Sequence, residues 1–486
     1  MTSDAARVVE SDLARLAPTL GRRRAWWLRE ALAADAGADC PPLRGRATTD
    51  VAVVGGGFTG LWTAWQLVEA APGLRVTILE GDIVGGGASG RNGGFLTGWW
   101  DDLPTLTGQF GEAGGLACAA ALDGTPAAVR AWCERHGVDA WFRPGGTLLV
   151  SGSAAQDGGW EGALTLTRLH GAGDRFVELS AAEVRRRSGS PLLRDGLLIP
   201  GDANIQPARL ARGLRRVLLE RGVTIHEGTR VRRLRRGRPA ILETAEGELV
   251  ADQVILGLNA WAAGWPGFGA RLVTWSSYMI LTEPIPERLA AIGYTGGEAI
   301  SDVRFTNHYW RATADGRIAF GGGGGRAGFG GRLGSWVTQD LGSVRLAVRG
   351  FRRLYPELSD VALDDAWGGP IDIAPNHLPA FGTLSPGNVH FGHGYSGSGL
   401  GPTHLGGRIL GALALGRRDD PVTRLPLVGS RPRRFPPEPF RYLGARVIRE
   451  AIVAKEQRDD EDHRSPWPLR ALVRLPRSMG YDLGPE

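Results

Sequence analysis

Asp50-Val51-Ala52-Val53-Val54-Gly55-Gly56-Gly57-Phe58-Thr59-Gly60-Leu61 decides the fold: an apolar strand runs into three glycines and then into a helix. A second apolar strand, Arg75-Val76-Thr77-Ile78-Leu79-Glu80, closes on an acid twenty residues after Gly60. Each residue has a physical reason to be there. Gly55 permits the tight turn, Gly57 lets a pyrophosphate approach the backbone, and Gly60 lets the helix pack close to the strand. The phosphates then meet the positive end of the helix, with Phe58 and Thr59 in its first turn. Glu80 is placed to accept hydrogen bonds from the adenosine ribose hydroxyls. Leu61, Ala64, Trp65 and Val68 fall on one helical face, so the glycines sit in a complete βαβ unit that binds a dinucleotide.

The next segment selects the dinucleotide. Gly85-Gly86-Gly87-Ala88-Ser89-Gly90-Arg91-Asn92-Gly93-Gly94 is a second glycine-rich turn directly after the ribose acid. NAD has little use for one there, whereas FAD is longer and needs further backbone and hydroxyl donors. Here the chain resembles the D-amino-acid-oxidase-like superfamily of FAD-dependent amine oxidoreductases, whose members carry a similar Gly-x-Ser-x-Arg-Asn-x-Gly segment. Gly368-Gly369-Pro370-Ile371-Asp372 and the stretch from Asn388 through His393-Gly394-Tyr395-Ser396-Gly397-Ser398-Gly399-Leu400 match the same superfamily. The resemblance implies that Gly369, Gly394, Ser398, Gly399 and Leu400 bring backbone to the flavin, where a helix start favours the negative charge of the reduced ring. It also implies that Val231 borders the adenine and that Asn259 and Ala260 belong to the cofactor site. The side chains of Tyr395 and Ser396 depart from the pattern and take no role from it.

Trp26-Trp27-Leu28-Arg29-Glu30-Ala31-Leu32, Tyr278-Met279-Ile280-Leu281-Thr282-Glu283-Pro284 and Phe435-Pro436-Pro437-Glu438-Pro439-Phe440-Arg441-Tyr442-Leu443-Gly444 are similar to the branch that contains gamma-glutamylputrescine oxidase and the aminophosphonate oxidoreductases. The resemblance spans roughly residues 25–455 and is specific for cofactor and reaction class rather than for substrate.

Composition agrees with a globular enzyme: 486 residues, 42% hydrophobic and 22% charged, with no apolar run near the length of a membrane span. Arg22-Arg23-Arg24 before Ala25-Trp26-Trp27-Leu28 imitates a twin-arginine signal, but Arg29, Glu30 and Asp35 interrupt its apolar stretch. Cys40, Cys118 and Cys133 show no paired pattern, which predicts a cytoplasmic location and excludes a cysteine zinc site; no metal is expected. Lys455 is the sole lysine. That removes a Walker lysine, a pyridoxal-phosphate Schiff base and a lysine above the flavin from the body of the chain. Arg230-Val231-Arg232-Arg233-Leu234-Arg235-Arg236-Gly237-Arg238 lacks interleaved aromatics and lies on a strand entering a hairpin, so it is a solvated face and no nucleic acid is expected. Cys118 and Cys133 match no cysteine that the family uses for flavin attachment, and Arg91 stands where some relatives place a flavin-linked histidine. FAD should therefore be held without a covalent bond.

The expected fold is α/β, a discontinuous Rossmann-like FAD-binding domain with a second α+β substrate domain built on a mixed, mostly antiparallel sheet. The expected division is 1–110, 196–265 and 366–430 for the FAD-binding parts, 111–195 and 266–365 for the substrate domain, and 431–486 for a tail. A hairpin with an Asp315-Gly316 turn belongs to the sheet that roofs the flavin, and the run from Gly321 to Gly325 is expected as a loop. The resemblance implies oxidation of a small amine: hydride passes from the carbon beside nitrogen to flavin N5, and the imine hydrolyses to a carbonyl compound. Dioxygen or another acceptor would reoxidise the flavin. Candidate pocket residues are Tyr278, Arg304, His308, Tyr309 and Trp310 from the roof, and Asn92, His393 and Tyr395 from the flavin side. Arg304 would clamp an anionic head group such as that of an amino acid or aminophosphonate, or else pair with Asp302. An FAD-dependent monooxygenase and a non-catalytic flavoprotein are the remaining readings.

Overall fold

A computed structural model describes residues 3–481; residues 1–2 and 482–486, the outer ends of the first and last expected segments, lie outside the described residues. The glycine-rich turn organises the first sheet. Strand Gly45–Val54 lies at its centre, parallel to Val76–Leu79 on one side and to Gly247–Leu256 on the other. Thr224–His226 extends the sheet past Val76–Leu79, and Val389–His393 with its antiparallel neighbour Ala380–Leu384 extends it the other way. Helix Phe58–Ala70 leaves the central strand and packs on helix Leu400–Ala414. The basic run forms the short strand Arg233–Arg235 paired with Ala240–Glu243, where Arg235 meets Glu243 and Glu248 at the surface.

The second sheet has eight strands in the order Leu363–Ile373, Val273–Thr282, Ile318–Gly322, His308–Ala312, Ala299–Asp302, Thr147–Val150, Gly196–Ile199 and Val177–Leu179. All its pairings are antiparallel except that of Ala299–Asp302 with Thr147–Val150. One face carries the core of Tyr278, Ile280, Trp310 and Phe320 under helix Leu341–Leu354. The expected division differs from the structure in four places, one being that helix Thr125–Arg135, expected in the substrate domain, packs into the first core through Val129, Trp132 and Cys133. Helix Ser3–Leu20 packs into this second core through Val9, Leu13 and Leu16, and strands Gly196–Ile199 and Leu363–Ile373 join the second sheet. Gly321 is also strand rather than loop: a Cβ there would meet the Tyr309 ring at 2.2 Å, so the glycine is what lets that ring lie across its neighbouring strand.

Three of the contacts that join the sheets among the described residues bear on the site. The two-residue ribbon Phe95–Leu96 pairs with Ala203–Asn204. Arg91 sends Nε to Gly86 O, one terminal nitrogen to Gly368 O and the other to Arg23 O, stapling the second glycine-rich turn to the second sheet. Arg311, 1% exposed, donates to Gly93 O at 2.7 Å and to Ile205 O, and lies 4.8 Å over the Trp27 ring. It has no carboxylate partner among the described residues, and burial lowers its pKa. Arg311→Met should therefore leave two buried carbonyls unpaired and cost about 2 to 6 kcal/mol in urea denaturation; a loss below about 1 kcal/mol would show that this guanidinium does not join the sheets.

Candidate active site

A cavity of about 2050 Å³ runs from the first glycine-rich turn to the underside of the second sheet. That is about twice the upper range for drug-sized ligands. At its nucleotide end the expected geometry is built by close backbone packing. A Cβ on Gly60 would stand 2.0 Å from Gly55 O, and one on Gly90 would stand 2.1 Å from Gly85 O. The same five-residue spacing thus closes both turns. Gly55 takes φ 109°, with Gly257 O where its Cβ would be.

Gly55, Gly57, Phe58, Thr59, Glu80 and Ser89 line the cavity, as do Arg91, Asn92, Gly93, Val231, Asn259 and Gly369. Gly60, Gly90, Gly94, Ala260 and Gly394 stand behind them. Their smallness shapes the wall: a Cβ on Gly94 would lie 2.0 Å from Ile205 O. Ser89 Oγ accepts from Phe58 N at 2.9 Å, which ties the two turns together. Glu80 accepts from Gly56 N at 2.7 Å and from Asp82 N at 2.8 Å, and burial raises its pKa. Asn92 staples its own loop, donating to Ala88 O and Ser89 O and accepting from Gly94 N. At the other end Ser398, Gly399 and Leu400 line the cavity where helix Leu400–Ala414 begins, so its unpaired amides face in.

A dinucleotide fits this arrangement. The first turn of helix Phe58–Ala70 meets the cavity at Gly57, Phe58 and Thr59, with Ser89 Oγ beside Gly57 on the Phe58 amide, and Asn259 Oδ1 is buried without a partner while Asn259 Nδ2 donates to Asp372 at 3.2 Å. Gly57 and Thr59 would hold the pyrophosphate, Glu80 the ribose, and the start of helix Leu400–Ala414 the electron-rich edge of the ring.

The second sheet sorts the roof candidates by strand alternation. On Val273–Thr282, Val273, Trp275 and Ser277 face the cavity, and Tyr278 faces the opposite core. Tyr278 is 0% exposed, donates to Trp336 O and accepts from Asp340 N; it is no pocket residue. On His308–Ala312, Tyr309 faces the cavity while His308 and Trp310 face away. His308 Nδ1 lies 2.9 Å from Asp302 Oδ2, and Trp310 Nε1 donates to Tyr355 Oη. Tyr309 is seated between Gly93 and Gly321, shares a 2.7 Å hydrogen bond with Ser277 Oγ, and has its phenol pushed up to about 12 by burial. His393 lies off the cavity, stacked on Phe391 and edge-on to Phe268, with burial pushing its pKa down to about 4. Tyr395 lines the cavity and accepts a hydrogen bond from Thr59 Oγ1 at 3.0 Å.

Arg304 borders the cavity but is spent. Nε donates to Asp302 at 2.7 Å and the terminal nitrogens donate to Asp460 at 2.7 and 3.1 Å, leaving 5% of the side chain exposed. It therefore corrects the anion-clamp expectation: two carboxylates already neutralise it, and its work is to anchor the end of helix Phe440–Asp459. Glu456 of that helix holds Thr306 N, and Phe440, Ala445, Ile448 and Ile452 close one side of the cavity. The tail's function had no signal in its sequence. Asp101, Trp99, Trp160 and Thr147 also line the cavity and were missed, having no motif.

The chain matches the family of FAD dependent oxidoreductases designated DAO over residues 50–413 and belongs to it. It is 30% identical over 414 residues to gamma-glutamylputrescine oxidoreductase of Escherichia coli (strain K12), covering 82% of this chain and 91% of that one. A probable oxidoreductase OrdL of Rhizobium meliloti (strain 1021) is also 30% identical, over 78% of this chain and 85% of its own. Among solved structures, glycine oxidase from Bacillus cereus superposes with a TM-score of 0.62 at 17% identity, over 79% of this chain and 99% of that one. L-proline dehydrogenase from P. horikoshii gives 0.63 at 18%, over 79% and 97%. The protein is thus an FAD-dependent oxidoreductase of mixed α/β fold, and among its described residues no helix is long and apolar enough to cross a membrane.

Glu80→Ala should weaken FAD retention at least tenfold while the protein still folds, since each charge-assisted hydrogen bond to a ribose hydroxyl is worth about 1.5 to 3 kcal/mol. Unchanged flavin content after dilution and dialysis would show that Glu80 does not hold the ribose.

Proposed function

We propose that the protein oxidises a small amine at the carbon next to nitrogen, with FAD bound non-covalently along the cavity. The carrying observation is the juxtaposition, on one cavity, of the two glycine-rich turns, the start of helix Leu400–Ala414 and the Tyr309–Ser277 pair. The reading is supported by the names of the relatives, an oxidoreductase of gamma-glutamylputrescine among them. When bound, FAD supplies the two-electron acceptor for a hydride from that carbon.

The protein's part is to bind, orient and dry the site. The roof and helix Phe440–Asp459 enclose the substrate end. Tyr309, whose phenol stays protonated to about pH 12, can donate a hydrogen bond but cannot take the amine's proton at neutral pH. His308 and His393 do not face the cavity. In this reading the amine becomes neutral by its own ionisation. Cys118 and Cys133 lie in the core and do not line the cavity, which supports the absence of a covalent flavin link. Acid precipitation should accordingly release all the yellow colour, and colour held in the pellet would refute non-covalent binding.

The fraction of neutral amine grows with pH, so the limiting rate of anaerobic flavin bleaching at saturating substrate should rise with pH to a plateau. It should slow severalfold when the carbon beside nitrogen carries deuterium, and His308→Ala and His393→Ala should retain the main pH step. A histidine variant that erases the step would assign the base to the protein. No bleaching by any amine would remove the functional reading itself.

A further inference from the structure

We infer that the two C-terminal helices, Phe440–Asp459 and Trp467–Ser478, form a face that docks on an anionic lipid bilayer, lying on its surface without crossing it. The inference is independent of the reaction that the cavity performs.

Most large apolar side chains of the chain are buried, and the exceptions are not scattered. Of the eleven that are exposed among the described residues, six fall between positions 440 and 479. Phe440, Leu443 and Val447 share one side of the first helix, and the opposite side, with Ala445, Ile448 and Ile452, faces the cavity. Trp467, Leu475 and Met479 recur at multiples of four along the second helix and its end. Their exposure runs from 45% at Leu475 to 74% at Trp467. The two helices pack on each other, and the end of the second returns to the start of the first. There Phe435 stacks on Tyr481 at 5.4 Å and Arg433 donates to Met479 O at 3.0 Å. Phe440, Leu475 and Met479 line the cavity as well as being exposed, so this face frames a mouth of the cavity.

Charge decides what covers it. Residues 431–449 and 463–481 carry ten arginines and a single acid, Glu438, whereas the whole chain holds 57 basic and 51 acidic residues. Glu438 is answered by Arg441, while Arg431, Arg433, Arg434, Arg446 and Arg474 are exposed. The other acids of the segment lie towards the turn between the helices. Glu450 pairs with Arg449, Glu456 holds Thr306, Asp459 pairs with Lys455 and Asp460 with Arg304, and Glu461 and Asp462 stand in the turn itself. That turn is a helix length, about 30 Å, from Phe440.

A second copy of the chain on this face would set the arginines against one another. A nucleic-acid strand would take the arginines but leave the aliphatic side chains of Leu443, Val447 and Leu475 without a use. An anionic bilayer meets both features at once: its headgroups take the arginines, and the acyl boundary takes the protruding apolar side chains.

The test uses the full-length, FAD-loaded protein in vesicle flotation, with phosphatidylcholine alone and with phosphatidylcholine mixed with phosphatidylglycerol. The mixed vesicles should bind about tenfold more tightly or better, and added salt should weaken that binding severalfold. Leu443→Gln combined with Val447→Gln and Trp467→Gln should lower binding to the mixed vesicles about tenfold, with flavin content and melting temperature unchanged. Arg434→Gln combined with Arg446→Gln should lower it severalfold and narrow the gap between the two vesicle types. Wild-type protein that floats with neither vesicle, or with both equally, would overturn the inference whatever the variants do. Unchanged binding by the apolar triple variant would overturn it too, by placing the lipid elsewhere on the molecule. So would a dimer in sedimentation velocity that the same three substitutions dissociate, which would give the face to a second copy.

Discussion

The buried guanidinium of Arg311 is the constraint on which the site depends. A charge with no carboxylate partner is expensive in a core, and it persists because its donors are used on backbone carbonyls of two separate segments, at Gly93 and Ile205. Those carbonyls belong to the second glycine-rich turn and to the loop before helix Pro207–Glu220. One side chain from the roof therefore fixes the height of the roof above the nucleotide fold. The Tyr309 ring, two residues earlier in the strand, then falls between Gly93 and Gly321. Rigid backbone on both sides, with no side chain between, is how the protein keeps an aromatic hydroxyl over the cavity without letting it collapse into the floor.

Charge is distributed by the same logic. Arginines at the rim of the cavity are committed to structure: Arg91 to three carbonyls, Arg304 to two aspartates, Arg441 to Glu438 and to carbonyls of the loop before strand Val273–Thr282. Helix starts add positive potential for a ligand, at Phe58–Ala70 for phosphates and at Leu400–Ala414 for the ring.

The nucleotide half was legible in the sequence because its function is written in backbone geometry. Gly55, Gly60, Gly90 and Gly94 are where a Cβ cannot be tolerated, and no other residue type can substitute at those contacts. The roof was less legible. Strand Val273–Thr282 is buried on both faces, so Trp275, Ser277 and Tyr278 carry no polar alternation that tells cavity from core. A one-residue shift in phase decides between them, and Tyr278, His308 and Trp310 fell on the wrong side of it. The pairing of Arg304 with Asp302 was the stated alternative to a clamp, whereas its second partner Asp460, 156 positions away, was not legible. Asp101 belongs to no motif and has no spacing rule, so its place on the cavity wall comes from the fold alone.

The central claim is that one continuous cavity seats FAD with its ring under Tyr309 and leaves the substrate end beneath the second sheet and helix Phe440–Asp459. A crystal structure of the FAD-loaded protein tests it directly. Electron density should place the pyrophosphate at the amides of Gly57 and Thr59, the ribose at Glu80, and the ring between the start of helix Leu400–Ala414 and Tyr309. A flavin ring outside this cavity, or one turned so that its adenine lies under Tyr309, would contradict the account.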